Sequence, residues 1–241
     1  MRKLLPREPS VAGMILLSGI VGLMFSRPPL PYLFLALLAL LTHLVSFDAA
    51  FSLARSRRFG RLAAIGAVNT APYLISLLTG GMPLRFLASA GFIMAAYGSM
   101  YMLYGPHSAI TYIVGASIPV LPALTLSSIA GPPPRPALLF WILLTIYNIA
   151  TTAYVETLLP WRNMNRLIPL LIWLPAPLIS AVAEPTTLIA AVEPTVKFAL
   201  NVPSRLKVNP TAEELRRLGW REMRRLMLYT MLLSILLALA P

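Results

Sequence analysis

Apolar residues in this chain come in long unbroken runs, and the short breaks between them carry proline, glycine or arginine. Runs of 17 or more apolar residues have the length of helices that cross a bilayer rather than of core helices. Nine such segments are expected, near residues 10–26, 30–52, 62–80, 83–104, 108–130, 137–159, 167–183, 185–201 and 224–240. RPPLP, TGG, YGPH and AGPPPRP, after the first, third, fourth and fifth, supply the turn chemistry that separates them. The eighth is short and holds Glu193, Pro194 and Lys197, so a full span and a re-entrant or interfacial helix both stand open for 185–201. The fold class that follows is all-α: a polytopic transmembrane helical bundle of eight or nine spans, forming a single integral membrane domain over residues 1–241.

Composition agrees. Hydrophobic residues make up 58% of the 241 and charged residues 12%, where a soluble domain carries about a quarter charged. The first run follows the basic MRKLLPRE as a signal peptide would, but no small-x-small cleavage site precedes the next segment, so a retained span is expected. The chain has no cysteine, which excludes disulfides, thiolate metal sites and cysteine nucleophiles.

The formal charge of +12 would point to nucleic acid if it were spread over a surface. Instead it sorts by loop. With the N-terminus inside and nine spans, seventeen of the twenty basic residues fall on the inner side, leaving Arg27, Arg85 and Arg135 outside. That is the positive-inside pattern, and it gives an N-in, C-out topology. Nucleic acid is excluded as a partner. Membrane lipids are the expected one.

The one sizeable polar segment, residues 202–223, lies on the inner side. Thr211 and Glu214 form a T-x-x-E capping box, and Glu213 and Arg217 stand four apart, so a short amphipathic helix is expected to lead into the last span. With Trp220 and its arginines it suits the interface with anionic lipid heads; docking of a larger membrane complex is the other use.

Ionisable groups inside spans are costly and call for a reason. Asp48, in the second segment, has two readings: charge compensation beside the arginines that follow it, or a ligand for a cation or head group. In the sixth, Asn148, Thr152 and Glu156 recur every four residues as a polar stripe. That stripe either lines a cavity or makes interhelical hydrogen bonds, with Glu156 pairing to Arg162 or Arg166. Glu193 and Lys197 have the i,i+4 spacing of a neutralising pair. His43 and His107 stand apart from other metal-type ligands in sequence and read as hydrogen-bonded span or loop histidines. No phosphate loop, dinucleotide fingerprint, zinc-protease motif or nucleophile elbow is present.

Three stretches carry a resemblance: REPSVAGMILLSGIVGL, TAYVETLLPWRN and LRRLGWREM. They resemble the YwiC-like family of multi-span membrane proteins through Arg7-Glu8-Pro9-Ser10, through Tyr154-Val155 with Arg162, and through Gly219, Trp220 and Glu222. That family implies a membrane bundle and no particular activity. More distantly, nine helices with acids at the inner ends of the second and sixth resemble the layout of UbiA-type prenyltransferases. Those enzymes hold magnesium and a prenyl diphosphate on carboxylate clusters. The resemblance implies Asp48, Asn148, Thr152 and Glu156 as the ligand-binding set, with Asp48 and Glu156 on any magnesium and Arg55, Arg57, Arg58 and Arg162 on phosphate or anionic lipid. Here Phe51 stands where a second acid would follow Asp48.

Three functions remain open at this point. The first is a YwiC-like protein of the cell membrane that binds a lipid, quinone or isoprenoid in an inner-face cavity, or serves as an accessory membrane subunit. The others are a divergent UbiA-type prenyltransferase and a small transporter gated by the proline-broken seventh and eighth segments. The topology they share is testable by itself: an impermeant label should reach a cysteine placed at Pro241 from outside intact cells and one placed at Ser56 only after lysis. Equal labelling of both from one side would refute the odd number of spans.

Overall fold

The computed structural model of the chain describes residues 9–56, 58–204, 207–208 and 211–240. Every regular element among them is helical: α1 (Pro9–Ser26), α2 (Leu30–Arg55), α3 (Phe59–Leu78), α4 (Leu84–Tyr104), α5 (Ala109–Gly115), α6 (Leu121–Ser127), α7 (Arg135–Leu158), α8 (Ile168–Trp173), α9 (Pro175–Ala183), α10 (Leu188–Asn201) and α11 (Ala212–Leu239). Among the described residues five helical segments are long and apolar enough to cross a membrane: Leu30–Ala50, Gly60–Leu78, Leu84–Tyr104, Ala109–Ser127 and Arg135–Leu158. Val11–Ser26 and Ile168–Ala183 are shorter apolar helices.

Proline explains where expected single segments break. The fifth is split into α5, a 3-10 turn at Ile118–Val120, and α6. Pro119 and Pro122 each lack an N–H and bias the residue before them away from helix. The seventh is divided at Leu174, ahead of Pro175, into α8 and α9. The eighth opens as a 3-10 turn at Pro185–Thr187 and continues as the 14-residue α10, with Pro194 inside it. At 1.5 Å per residue α10 is about 21 Å long, short of a hydrocarbon core of about 30 Å.

The amphipathic helix expected near 202–223 is not a separate element. It runs without interruption into the last apolar segment as the 28-residue α11, because Gly219 alone does not stop a helix and no proline follows it. Thr211 caps it, accepting from the Glu214 N–H at 3.3 Å. Only this half of the capping box forms among the hydrogen bonds present, since the Glu214 carboxylate takes Arg217 at 3.2 Å. The expected Glu213–Arg217 pair forms at 2.6 Å.

The chain falls into two compact units, one of residues up to Gly98 with Ile118–Trp141, the other of Ser99–Ser117 with Ile142 onward. In the first, α6 is buried along its whole length and α1 packs on it. Small residues allow the approach, as usual between apolar helices in lipid: a Cβ on Gly22 would sit 2.8 Å from the Ala123 carbonyl oxygen. Ile15, Ala36, Ala39, Leu40, Leu44, Tyr73, Leu126 and Ile129 form the core. Ser18 donates to the Pro119 carbonyl at 3.0 Å, and Ser76 donates to that of Ile129.

In the second unit an aromatic cluster takes the place of aliphatic packing. Tyr147 stacks on Tyr229 with ring centres 4.2 Å apart, and Trp173 meets Tyr147, Tyr229 and Phe198 at 6.0, 6.0 and 5.8 Å. The indole N–H of Trp173 donates to Thr195 at 2.8 Å, fixing α8 to α10.

The α1–α6 contact gives a direct test. Gly22→Ala should destabilise the detergent-solubilised protein by about 1–3 kcal/mol through overpacking against backbone. Gly91→Ala, where an added Cβ meets nothing within 4 Å, should be neutral or stabilising by up to about 1 kcal/mol. Thermal unfolding of the two variants reads the difference.

Candidate functional site

The sequence-expected site residues divide between the two units. Asp48 lies half-buried on α2 of the first. Arg58 is exposed just ahead of α3; Arg57 and the side chain of Arg55 lie outside the described residues. In the second unit Asn148, Thr152 and Glu156 follow one another along α7, each engaged in a different way. Asn148 donates to the carbonyl of Ala116 at 2.6 Å. That carbonyl sits at the frayed end of α5, where no following turn of helix supplies a donor. Thr152 donates back to the Asn148 carbonyl at 2.9 Å. Glu156 is 5% exposed and holds Arg162 at 2.7 Å. Arg162 in turn donates to the His107 carbonyl.

The exit of α7 is secured from the polar segment. Lys207 donates to the carbonyls of Thr157, Leu159 and Arg162 at 2.8, 3.2 and 3.0 Å, the favourable position for a cation at a helix C-terminus. Desolvation there, followed by the charge of Arg166, pulls its pKa below the ordinary lysine value. Asn201 donates to Thr157 and to the Arg166 carbonyl, at 3.2 and 3.3 Å.

A buried charge centre in the second unit joins α7, α10 and α11. Lys197 does not take Glu193, as the i,i+4 spacing led one to expect. It reaches Glu222 on α11 at 3.3 Å, with side-chain exposures of 4% and 7%. Glu193 pairs with Arg225 at 3.3 Å. The physical reason is direction: Lys197 is on the buried side of α10 while Glu193 is exposed. The ammonium lies 4.5, 4.8 and 5.4 Å from the ring centres of Phe198, Tyr147 and Tyr154, which supply cation–π attraction in place of water. Thr151 accepts from it at 3.2 Å and Tyr147 at 3.5 Å. Glu222 also accepts from Arg225 at 2.9 Å and from Arg221 at 3.3 Å. In the sequence Glu222 entered only through the family resemblance, on an amphipathic helix, and was not paired with Lys197; the signal was Arg221, Glu222 and Arg225 at helical spacing with a lysine stranded in an apolar segment upstream.

The first unit presents an open, almost wholly apolar groove between α2 and α3, about 410 Å3 in volume, lined on α2 by Leu41, Thr42, Val45 and Ser46 and on α3 by Ala64, Ile65, Val68 and Asn69. Beneath its surface ends a chain of polar side chains that leads into the core. Asn69 donates to Ser46 at 2.7 Å and to the Ile65 carbonyl at 2.9 Å. Both amide hydrogens are thereby used, so His43 must carry its proton on Nδ1 to meet the Asn69 carbonyl at 2.7 Å. The other ring nitrogen is 2.8 Å from the Tyr73 hydroxyl, which lies 3.0 Å from Thr125. His43 is thus the hydrogen-bonded span histidine that its isolation in sequence suggested. Asn69 and Ser46 were passed over; an asparagine in an apolar segment was their signal, as at Asn148.

Among the described residues no three histidine, aspartate or glutamate side chains converge as a metal ion would require. No protein-family model, curated protein or solved structure matches the chain significantly.

The charge centre generates a stability prediction. Glu222→Gln leaves the Lys197 ammonium buried without its counter-charge and should cost about 3–5 kcal/mol. Lys197→Met with Glu222→Gln should cost less than the two single changes summed. Strict additivity in a thermal-unfolding cycle would show that the two groups do not interact.

Proposed function

We propose that the chain is a nine-span protein of the cell membrane, N-terminus inside and C-terminus outside, of the YwiC-like kind with a UbiA-like bundle. Its function in this reading is to hold an apolar-chain membrane ligand in the groove between α2 and α3. The observation that carries the reading is the groove itself: an almost wholly apolar trough of about 410 Å3, with the hydrogen-bonded pair Asn69 and Ser46 beneath it.

Its depth fits the topology. Ser46 is ten residues from Ser56 along the helical direction, about 15 Å, which puts the groove in the half of the bilayer nearest the arginines of the α2–α3 connection. A ligand would enter sideways from the inner leaflet.

The prenyltransferase reading needs carboxylates available to magnesium, which is bound by several oxygen ligands together with substrate phosphates. Glu156 is engaged by Arg162, so the prenyltransferase reading has less support. One observation favours a second reading, coupled transport: Lys197 and Glu222 are ionisable, buried and adjacent to helices interrupted at Leu174 and Pro185. The groove supports ligand holding more directly, since it offers volume and an apolar lining.

The test uses the full-length protein extracted into nanodiscs of native lipid and analysed by native mass spectrometry. Wild type should keep a bound amphiphile after mild detergent exchange. Val68→Trp, or Ala64→Trp should the first fold poorly, should lower its retention about tenfold, while Ile75→Trp on the lipid-exposed side of α3 should not. Equal retention in all of these would overturn the groove as the binding site.

A further inference from the structure

The arginines of α11 are not equivalent. Of the five on this helix, three are spent on carboxylates. Arg217 takes Glu213 and Glu214 at 2.6 and 3.2 Å, and Arg221 takes Glu222 at 3.3 Å. Arg225 is shared between Glu222 at 2.9 Å and Glu193 at 3.3 Å. These are all four acids of α10 and α11, so none is left for the remaining two arginines. Arg216 and Arg224 are both exposed, and among the described residues neither has an ion pair.

Helical spacing brings the two together on one side. Arg216, Trp220 and Arg224 recur every fourth residue, with the exposed Trp220 between the two cations. The same side continues without a break as Met227, Leu228, Met231 and Ile235, all exposed, while Leu218, Glu222, Tyr229 and Leu233 are buried on the other. Glu213 shares the outward side one turn before Arg216, but Arg217 neutralises it. The sequence offered a general run of arginines on a separate interfacial helix. The structure leaves two of them unspent, on a helix that carries their face directly into an apolar one.

We infer that this face of α11 is a head-group site for anionic phospholipid, in whichever leaflet faces residues 202–223. The site lies in the other unit from the groove and stands whether or not the groove holds a ligand. Each guanidinium donates to a phosphate, a charge-assisted and frequently bidentate contact. Eight residues separate Arg216 from Arg224, about 12 Å along the axis, so each takes its own phosphate. Trp220 lies between them, where an indole suits the boundary of head group and acyl chain. The acyl chains run along Leu228, Met231 and Ile235. An acidic soluble protein would match the two cations, but it would have no use for the apolar side that follows them.

The experiment places the full chain in nanodiscs of phosphatidylcholine, raises the share of phosphatidylglycerol stepwise, and reads bound lipid by native mass spectrometry. A cationic residue at a membrane surface strengthens attraction to anionic lipid about fivefold. Arg216→Gln and Arg224→Gln should therefore each weaken phosphatidylglycerol binding about fivefold, and together about 25-fold. Lysine at both positions should restore most of it. Glu213→Gln with Arg217→Gln, which removes a spent pair at constant net charge, should change nothing. Unchanged preference in the Arg216→Gln, Arg224→Gln variant would overturn the inference. So would an equal fall in Arg58→Gln with Arg61→Gln, which lowers net charge by the same amount elsewhere. Loss of a co-purifying protein from the α11 double variant, with lipid preference intact, would give the face to a protein and overturn it too. Val68→Trp should leave this preference intact, so the groove and the α11 face fail separately.

Discussion

A peptide group placed in hydrocarbon must find its hydrogen bond within the protein, because no water is present to supply one and each failure costs several kcal/mol. Continuous helix satisfies this by itself. This chain interrupts its helices with proline, and side chains take up several of the carbonyls near these interruptions. Ser18 serves Pro119, Ser76 serves Ile129 and Asn148 serves Ala116. Lys207 closes the end of α7, and Arg162 reaches the carbonyl of His107. Much of the polar inventory of the apolar segments is committed in this way, and the residues left over stand out by contrast.

Two places stand out. In the second unit the Lys197–Glu222 pair is held among aromatic rings rather than among backbone groups. Removing two charges from water is expensive, so such a pair is poor evidence of stabilisation and better evidence of specificity or use. In the first unit the His43–Asn69–Ser46 chain ends beneath the α2–α3 groove, with Asn69 also closing on the Ile65 carbonyl.

The helical segments were legible in the sequence because the bilayer imposes a length that few soluble helices share. The nine apolar runs lie in largely helical parts of the chain, and among the described residues five helical segments meet the length and hydropathy of a span. Proline marked the breaks at 119, 175 and 185; the seventh and eighth segments were read as proline-broken, while the break in the fifth was not drawn. Glu156 with Arg162 was foreseen as one of two alternatives because the partners are near in sequence. The partner of Lys197 was not: it stands 25 residues away, and choosing Glu222 over Glu193 requires knowing which side of α10 is buried. The groove depends on the rotation of α2 against α3, and apolar segments without a polar stripe leave rotation undetermined. Asn148 was visible as polar; that its amide meets a carbonyl 32 residues earlier was not.

The continuity of α11 has a mechanical consequence. Bending a helix requires breaking or lengthening the bonds of its ladder, and no proline relieves this one between Ala212 and Leu239. Its cationic turns and its lipid-soluble turns therefore keep one axis. In the membrane topology proposed above, whatever inclination bilayer thickness imposes near Leu233 and Leu237 is also the inclination of Arg216 and Arg221. Head-group layer and hydrocarbon would then act on the two ends of a single lever, with Glu222 along its length.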